Sequence, residues 1–233
     1  MKREKKYSIF TYFLSFLILL ALVYLPLTNV NATSPYRYHA GYFYYGFSST
    51  APEGVKANIY TKNIGIPPWL EFMAQWDTVI LSYSSNYWVQ LGYAIHWAWF
   101  IFPYATVDFF KEKVDSNGRS FSYLALLKPL FDHTYTYKLL LTEAGEYTYY
   151  VHEGSTLIYS GTMSLNPYVS KDLQAFVETT HTLIIITGSH FSSLRYRQTS
   201  TSWPLWDRHY PWDDPPYSVN EMGHSEFTTS GGG

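Results

Sequence analysis

The chain has 233 residues, a formal net charge of −2, 24 tyrosines and no cysteine. Without cysteine it has no thiol nucleophile, no Cys-based metal site and no disulfide, so cysteine usage says nothing about the redox compartment. Without a basic excess it also lacks the electrostatic footprint of a nucleic-acid binder.

The first 32 residues read as an export leader that stands apart from the fold. Lys2, Arg3, Lys5 and Lys6 form a basic start, and the apolar run Ile9 to Leu27 follows. Val30-Asn31-Ala32 then offers the small residues a signal peptidase accepts, with cleavage expected before Thr33. The apolar run is 19 residues long, near the minimum for a membrane span. An uncleaved anchor at residues 9–27 therefore stays open as the chain's one contact with a membrane. In both cases the protein is expected outside the cell. Removing 32 residues, four of them basic and one acidic, leaves 201 with 12 Lys+Arg against 17 Asp+Glu. The single glycosylation sequon, at Asn31, falls on the cleavage site and would be lost.

Beyond the leader, short β-rich runs recur between turn residues. They are His39–Phe47, Val55–Lys62, Thr78–Tyr83, Tyr87–Tyr93, Thr106–Val114, Thr134–Leu141, Tyr147–His152, Thr156–Ser164, Gln174–Thr180 and Phe191–Arg197. Ser84-Ser85-Asn86, Asp115-Ser116-Asn117-Gly118, Glu143-Ala144-Gly145-Glu146 and His152-Glu153-Gly154-Ser155 supply the turns. Leu139–Tyr159 reads as two successive hairpins. Leu70–Trp76 and Ser122–Leu130 are the only plausible helical turns. Such a pattern predicts an all-β antiparallel sandwich or barrel over residues 33–198. Residues 199–233, rich in Pro and Trp and ending Ser-Gly-Gly-Gly, read as a separate C-terminal segment: Trp203, Trp206 and Trp212 place its first half against the body of the fold, and its glycine end is expected to be disordered. The tyrosines suit a pleated, half-buried surface. Being neutral below about pH 10, they would keep a surface unchanged in acid.

Several chemistries are absent from the sequence. It has no Gly-X-Ser-X-Gly elbow, no His-Glu-X-X-His, no P-loop and no dinucleotide glycine fingerprint. His181, His190 and His209 are too scattered for their spacing to predict a metal site. Asp213-Asp214 reads as a solvated pair in a Pro-rich loop. No metal and no cofactor is expected.

Two strands carry the remaining candidates. In Tyr87-Trp88-Val89-Gln90-Leu91-Gly92-Tyr93, alternation puts Trp88, Gln90 and Gly92 on one face. An amide among apolar neighbours must find partners in the fold or await a ligand. In Leu173-Gln174-Ala175-Phe176-Val177-Glu178-Thr179, the residues Gln174, Phe176 and Glu178 share a face. A carboxylate in apolar surroundings resists ionisation unless donors compensate. Taken singly, a strand Gln or Glu more often points to solvent.

Together these stretches resemble the glutamic peptidase (eqolisin) family, whose members are secreted β-sandwich endopeptidases active in acid. Val89–Tyr93 resembles the family's glutamine strand, with Gln90 at the glutamine position. Asp108-Phe109-Phe110-Lys111-Glu112 resembles its aromatic strand, and Leu173–Glu178 its glutamate strand, with Glu178 at the glutamate position. His39-Ala40-Gly41-Tyr42 is similar to the opening strand and Phe191–Tyr196 to the closing one. The resemblance runs from Tyr38 to Arg197 and implies a two-sheet, concanavalin-like jelly roll. It further implies a catalytic pair of Gln90 and Glu178, a polypeptide substrate, and a groove to which Trp88, Phe110, Glu112 and Phe176 contribute. Departures are Leu91 in place of a small residue, Lys111 and Lys113 within the aromatic stretch, and Gln174 where the family has a first Glu. Two rival readings are a secreted sandwich binding carbohydrate or envelope surface, and a surface-layer protein held by the residue 9–27 anchor. Whether Gln90 and Glu178 share one cleft separates them from the peptidase.

Overall fold

A computed structural model describes residues 37–45, 51–66, 72–99, 103–124, 126–143, 145–165, 170–198 and 201–233. The expected leader at 1–32, with its expected cleavage site or anchor, lies outside the described residues. The strands, in chain order, are β1 (Tyr38–Tyr44), β2 (Gly54–Tyr60), β3 (Phe72–Ser82), β4 (Tyr87–Trp99) and β5 (Pro103–Asp115). There follow β6 (Gly118–Leu124), β7 (Thr134–Glu143), β8 (Glu146–Glu153), β9 (Thr156–Ser164) and β10 (Asp172–Thr179). The last four are β11 (His190–Arg197), β12 (Tyr210–Asp213), β13 (Ser218–Gly223) and β14 (Glu226–Ser230). They form two 7-stranded sheets, ordered β12-β1-β10-β3-β4-β5-β6 and β13-β14-β11-β2-β7-β8-β9. All the registers are antiparallel. The expected all-β two-sheet sandwich is the fold.

Alternation decides which residues meet between the sheets. From the first sheet, Val79, Val89, Leu91, Tyr93, Phe109, Ala175 and Val177 face inward. They meet Ala57, Ile59, Tyr137, Leu139, Val151 and Phe191 of the second in one core. Among the described residues eight tyrosines are buried, including Tyr42, Tyr93, Tyr137 and Tyr147 at under 2 % exposure. Much of the tyrosine excess therefore builds core rather than acid-proof surface, each ring contributing about 1.5–3 kcal/mol of burial. Tyr93 satisfies its hydroxyl by accepting from Lys62 N at 2.9 Å and donating to Tyr60 O at 3.2 Å. One carboxyl is also buried in this core. Asp77, on β3, is fully buried and neither of its oxygens has a hydrogen-bond partner among the described residues. Burial pushes its pKa well above the usual carboxylate range.

Turn chemistry sets the hairpins. Asn86 takes the left-handed conformation (φ 52) between β3 and β4, and Gly118 does so (φ 100) between β5 and β6. There, Asp115 Oδ1 accepts from Asn117 N at 2.8 Å and closes the turn.

Three expectations are corrected. Phe72–Trp76, read as helical, is the first half of β3, paired on both sides by β10 and β4. A short apolar run fits either state, and pairing on two flanks decides it. Ser122–Leu124, read as part of a helical turn, is the end of β6. The sandwich does not stop at residue 198: the segment beyond it packs on the body, with Trp206 buried, and goes further, β12 extending the first sheet beside β1 and β13 and β14 extending the second beside β11. Its glycine end is tied down too, with Gly231 O accepting from Ile186 N at 3.1 Å and Gly233 N donating to Thr182 O at 3.2 Å.

Candidate active site

The outer face of the first sheet carries the residues that alternate away from the core. Register arranges them in three rows. The first is Gln174, Thr78, Gln90, Glu112 and Phe121. The second is Gly41, Phe176, Trp76, Gly92 and Phe110. The third is His39, Glu178, Ala74, Ala94 and Asp108. Glycine at 92 leaves room for Trp76 next door, since a Cβ there would meet Gln75 O at 2.0 Å and Trp76 Cβ at 2.8 Å. Ala74, Trp76, Ala94, Phe110 and Phe176 form a small apolar cluster that floors the face.

A cleft of about 420 Å³ lies on this floor, lined among others by Trp76, Thr78, Trp88, Gln90, Glu112 and Glu178. A second cavity, of about 180 Å³, is sunk over Ala74 and Ala94 between Phe72, Phe110, Phe121 and Tyr123. Gln90 and Glu178 line both. Across the sheet, Glu178 pairs with Ala74, which pairs with Ala94, four residues along β4 from Gln90. The two side chains thus reach one cleft from diagonally placed backbones, on either side of the Trp76 row.

Each has defined partners. Gln90 Nε2 donates to Glu112 Oε2 at 2.6 Å, and its Oε1 accepts from Thr78 Oγ1 at 3.4 Å. An acceptor-only carboxylate facing the amide nitrogen fixes which way the amide points. One N–H is engaged, and the side chain lines the cleft. Glu112 is itself paired with Arg119. Glu178 Oε2 accepts from Trp76 Nε1 at 3.1 Å, and its Oε1 pairs with Arg37. Both carboxylates are buried, at 3 % exposure for Glu112 and 6 % for Glu178. Nearby, burial lowers the pKa of His39, partly opposed by Asp214, whose Oδ2 lies 3.3 Å from its Nδ1. Burial and then the Asp108 charge push the Tyr123 phenol up to about 12, so it stays neutral.

The other residues predicted for the groove divide by position. Trp88 lines the main cleft, and its indole Nε1 has no hydrogen-bond partner among the described residues. Phe110 stacks on Phe121 with ring centroids 5.3 Å apart and walls the smaller cavity. Phe176 lies under Trp76, centroids 5.4 Å apart, and faces a third cavity beside Trp212. Glu112 lines both cavities and bonds Gln90 and Arg119.

Of the departures in sequence, Gln174 lies on this face and lines the cleft, while the others point away from it. Leu91 points into the core. Lys111 alternates to the opposite side and lies 4.7 Å from the Tyr149 ring centroid, and Lys113 bonds Asp115 at 3.1 Å. Trp76, Arg37, Arg119 and Thr78 went unrecognised in the sequence. The alternation Ala74, Trp76, Thr78 was the signal for two of them.

Among the described residues no three His, Asp or Glu side chains converge as metal ligands. His181, His190 and His209 do not come together: His190 Nε2 lies 2.8 Å from Glu226, and His209 Nε2 lies 2.6 Å from Glu221. Asp213 and Asp214 are structural acceptors, for Val219 N at 3.1 Å and His39 N at 2.9 Å.

No family model matches the chain, and no curated protein matches it. Solved structures do. A sandwich of this layout is the fold of the glutamic peptidases. One similar structure is a scytalido-glutamic peptidase with a transition state analog inhibitor, at TM-score 0.59 and 9% identity, covering 83% of this chain and 97% of that one. The same peptidase with a peptide based transition state analog aligns at TM-score 0.58 and 8% identity, with the same coverage. SCP-B, a member of the eqolisin family in complex with the tripeptide Ala-Ile-His, aligns at TM-score 0.55 and 8% identity over 83% and 97% of the two chains. The resemblance drawn from short motifs thus holds for the whole architecture.

Proposed function

We propose that the protein is a secreted acid endopeptidase that activates water with Glu178 and Gln90. The observation that carries this reading is that Gln90 and Glu178, 88 residues apart in the chain, line the same cleft on one sheet face. Glu178, ionised, takes a proton from a water that attacks the scissile carbonyl. The second N–H of Gln90 donates to the oxygen that becomes negative in the tetrahedral intermediate. Glu178, now protonated, gives its proton to the leaving amine as the C–N bond breaks. A carboxylate base works at low pH, so no histidine is needed for this cycle. The extended groove and its aromatic walls suit an unfolded polypeptide, and the peptide-like ligands of the similar peptidases agree with that substrate class. The leader at residues 1–32 accounts for export.

To test this, the chain from Thr33 to Gly233 is incubated with a denatured protein between pH 2 and 7, beside its Glu178→Ala variant. Cleavage in acid that is lost in the variant is the expected result. A folded sample that cleaves nothing across that range would overturn the peptidase and leave the surface-binding sandwich.

A further inference from the structure

Glu178 is subject to two opposed influences. It is buried over Trp76 and Phe176, which disfavours its charge, and it is paired with the guanidinium of Arg37, which favours it. Arg37 stands one residue before β1, so the pairing of β1 with β10 brings it to the carboxylate. It is further fixed by the Phe72 ring, with Cζ 4.7 Å from the centroid. Trp76 holds the other carboxylate oxygen. The carboxylate is therefore gripped at both oxygens, by a cation on one side and a neutral donor on the other.

Other charged groups near Glu178 are already engaged. His39 is its cross-strand partner and is backed by Asp214. Glu112 and Arg119 share its cavity from β5 and β6 and bond each other. Tyr123, on the same wall, is neutral. Lys128 reaches Asp108, the far end of the Glu178 row, at 3.6 Å. Among the described residues, Arg37 is the cation that pairs directly with the Glu178 carboxylate.

We infer that Arg37 is a positioning residue that keeps Glu178 ionised and aimed at the cleft in acid. It acts through Glu178 and needs no contact with substrate. An arginine suits this role because it stays charged at every working pH, and its planar fork stacks on an aromatic ring while bonding a carboxylate. The catalytic consequence rests on the peptidase reading, whereas the effect on Glu178 does not.

Two readouts separate them. In the first, the Glu178 carboxyl is titrated by carbon-13 NMR in chain labelled at glutamate, its signal assigned by loss in Glu178→Gln. Replacing Arg37 by Leu should raise the titration midpoint by about 1–3 pH units, with Arg37→Lys restoring part of the shift. Arg37→Gln gives the same comparison should the leucine variant unfold. In the second, the acid limb of the kcat/KM profile moves up by the same amount. Coincident Glu178 titrations in the wild type and a folded charge-free variant would overturn the inference. A shifted titration in a protein that cleaves nothing would uphold Arg37's role and sink the peptidase.

Discussion

Gln90 gives one amide hydrogen to Glu112 at 2.6 Å, and Glu112 is held in turn by Arg119. The amide is therefore oriented before anything binds, and in the proposed mechanism this orientation would lower the reorganisation cost of an oxyanion donor. Replacing Gln90 by Ala should lower kcat by about 10²–10³-fold while leaving the melting temperature near that of the wild type. Loss of less than tenfold in an active enzyme would remove Gln90 from the chemistry. Glu112→Gln is the companion test. An amide at 112 can face Gln90 with either end, so kcat should fall and KM should change little.

On the other side of the cleft, Trp76 holds Glu178 through a single N–H. Trp76→Phe keeps most of the ring over Phe176 and deletes that bond. A hydrogen bond to a charged group is worth about 1.5–3 kcal/mol, so a roughly tenfold or greater fall in kcat/KM is expected. The loss should be largest where Glu178 has to be ionised. A flat loss at all pH values would point to damaged packing instead.

Much of this face was legible in the sequence, and the reason is periodicity. Strands with one core face show their outer residues at every second position, so alternation alone groups Trp88, Gln90 and Gly92, and likewise Gln174, Phe176 and Glu178. What the sequence hid has physical causes. Phe72–Trp76 lies in the central strand, where Met73 to Trp76 are buried on both faces, so its two-residue alternation is masked by apolar residues at nearly every position. Misreading it concealed Trp76. Arg37 lies 141 residues from Glu178, and only sheet register brings them together, whereas Arg119 meets Glu112 across the β5–β6 hairpin, whose turn was read without following its register to the pair. Strands β12 to β14 were concealed by composition. Pro211 sits in β12, at the sheet edge beside β1, where a strand tolerates a missing N–H.

Asp77 makes stability depend on pH in an uncommon direction. Its carboxyl is buried without a hydrogen-bond partner among the described residues, and burial raises its folded-state pKa well above the ordinary carboxylate range. A group with a raised folded pKa binds its proton more tightly in the folded state. Its contribution is complete below the unfolded value and is lost as pH climbs toward the folded one. Denaturant unfolding from pH 3 to 8 should therefore show stability declining with pH, by up to about 1.4 kcal/mol per unit from this group. Asp77→Asn, uncharged at every pH, should flatten that slope. An unchanged slope in the variant would show that Asp77 does not carry the dependence. The decline favours acid, where the proposed chemistry also operates.

The Gly92 position is the structural counterpart of the site. Gly92 and Trp76 occupy paired positions, and the missing side chain leaves space that a Cβ would fill at 2.0 Å from Gln75 O and 2.8 Å from the Trp76 Cβ. Gln75 O is backbone inside a central strand and cannot swing aside. Gly92→Ala must therefore push β3 and β4 apart, with an expected loss of about 1–3 kcal/mol in denaturant unfolding. Because Trp76 holds Glu178, activity should fall by more than the lost stability explains at temperatures where the variant is fully folded. Gly65→Ala is the control, as a Cβ there meets nothing within 4 Å. Glycine's extra freedom in the unfolded chain makes that change neutral or stabilising by a few tenths to about 1 kcal/mol. Equal melting of the two variants would show that the close packing at Gly92 can relax, and that the Trp76 row is not rigid enough to hold the base.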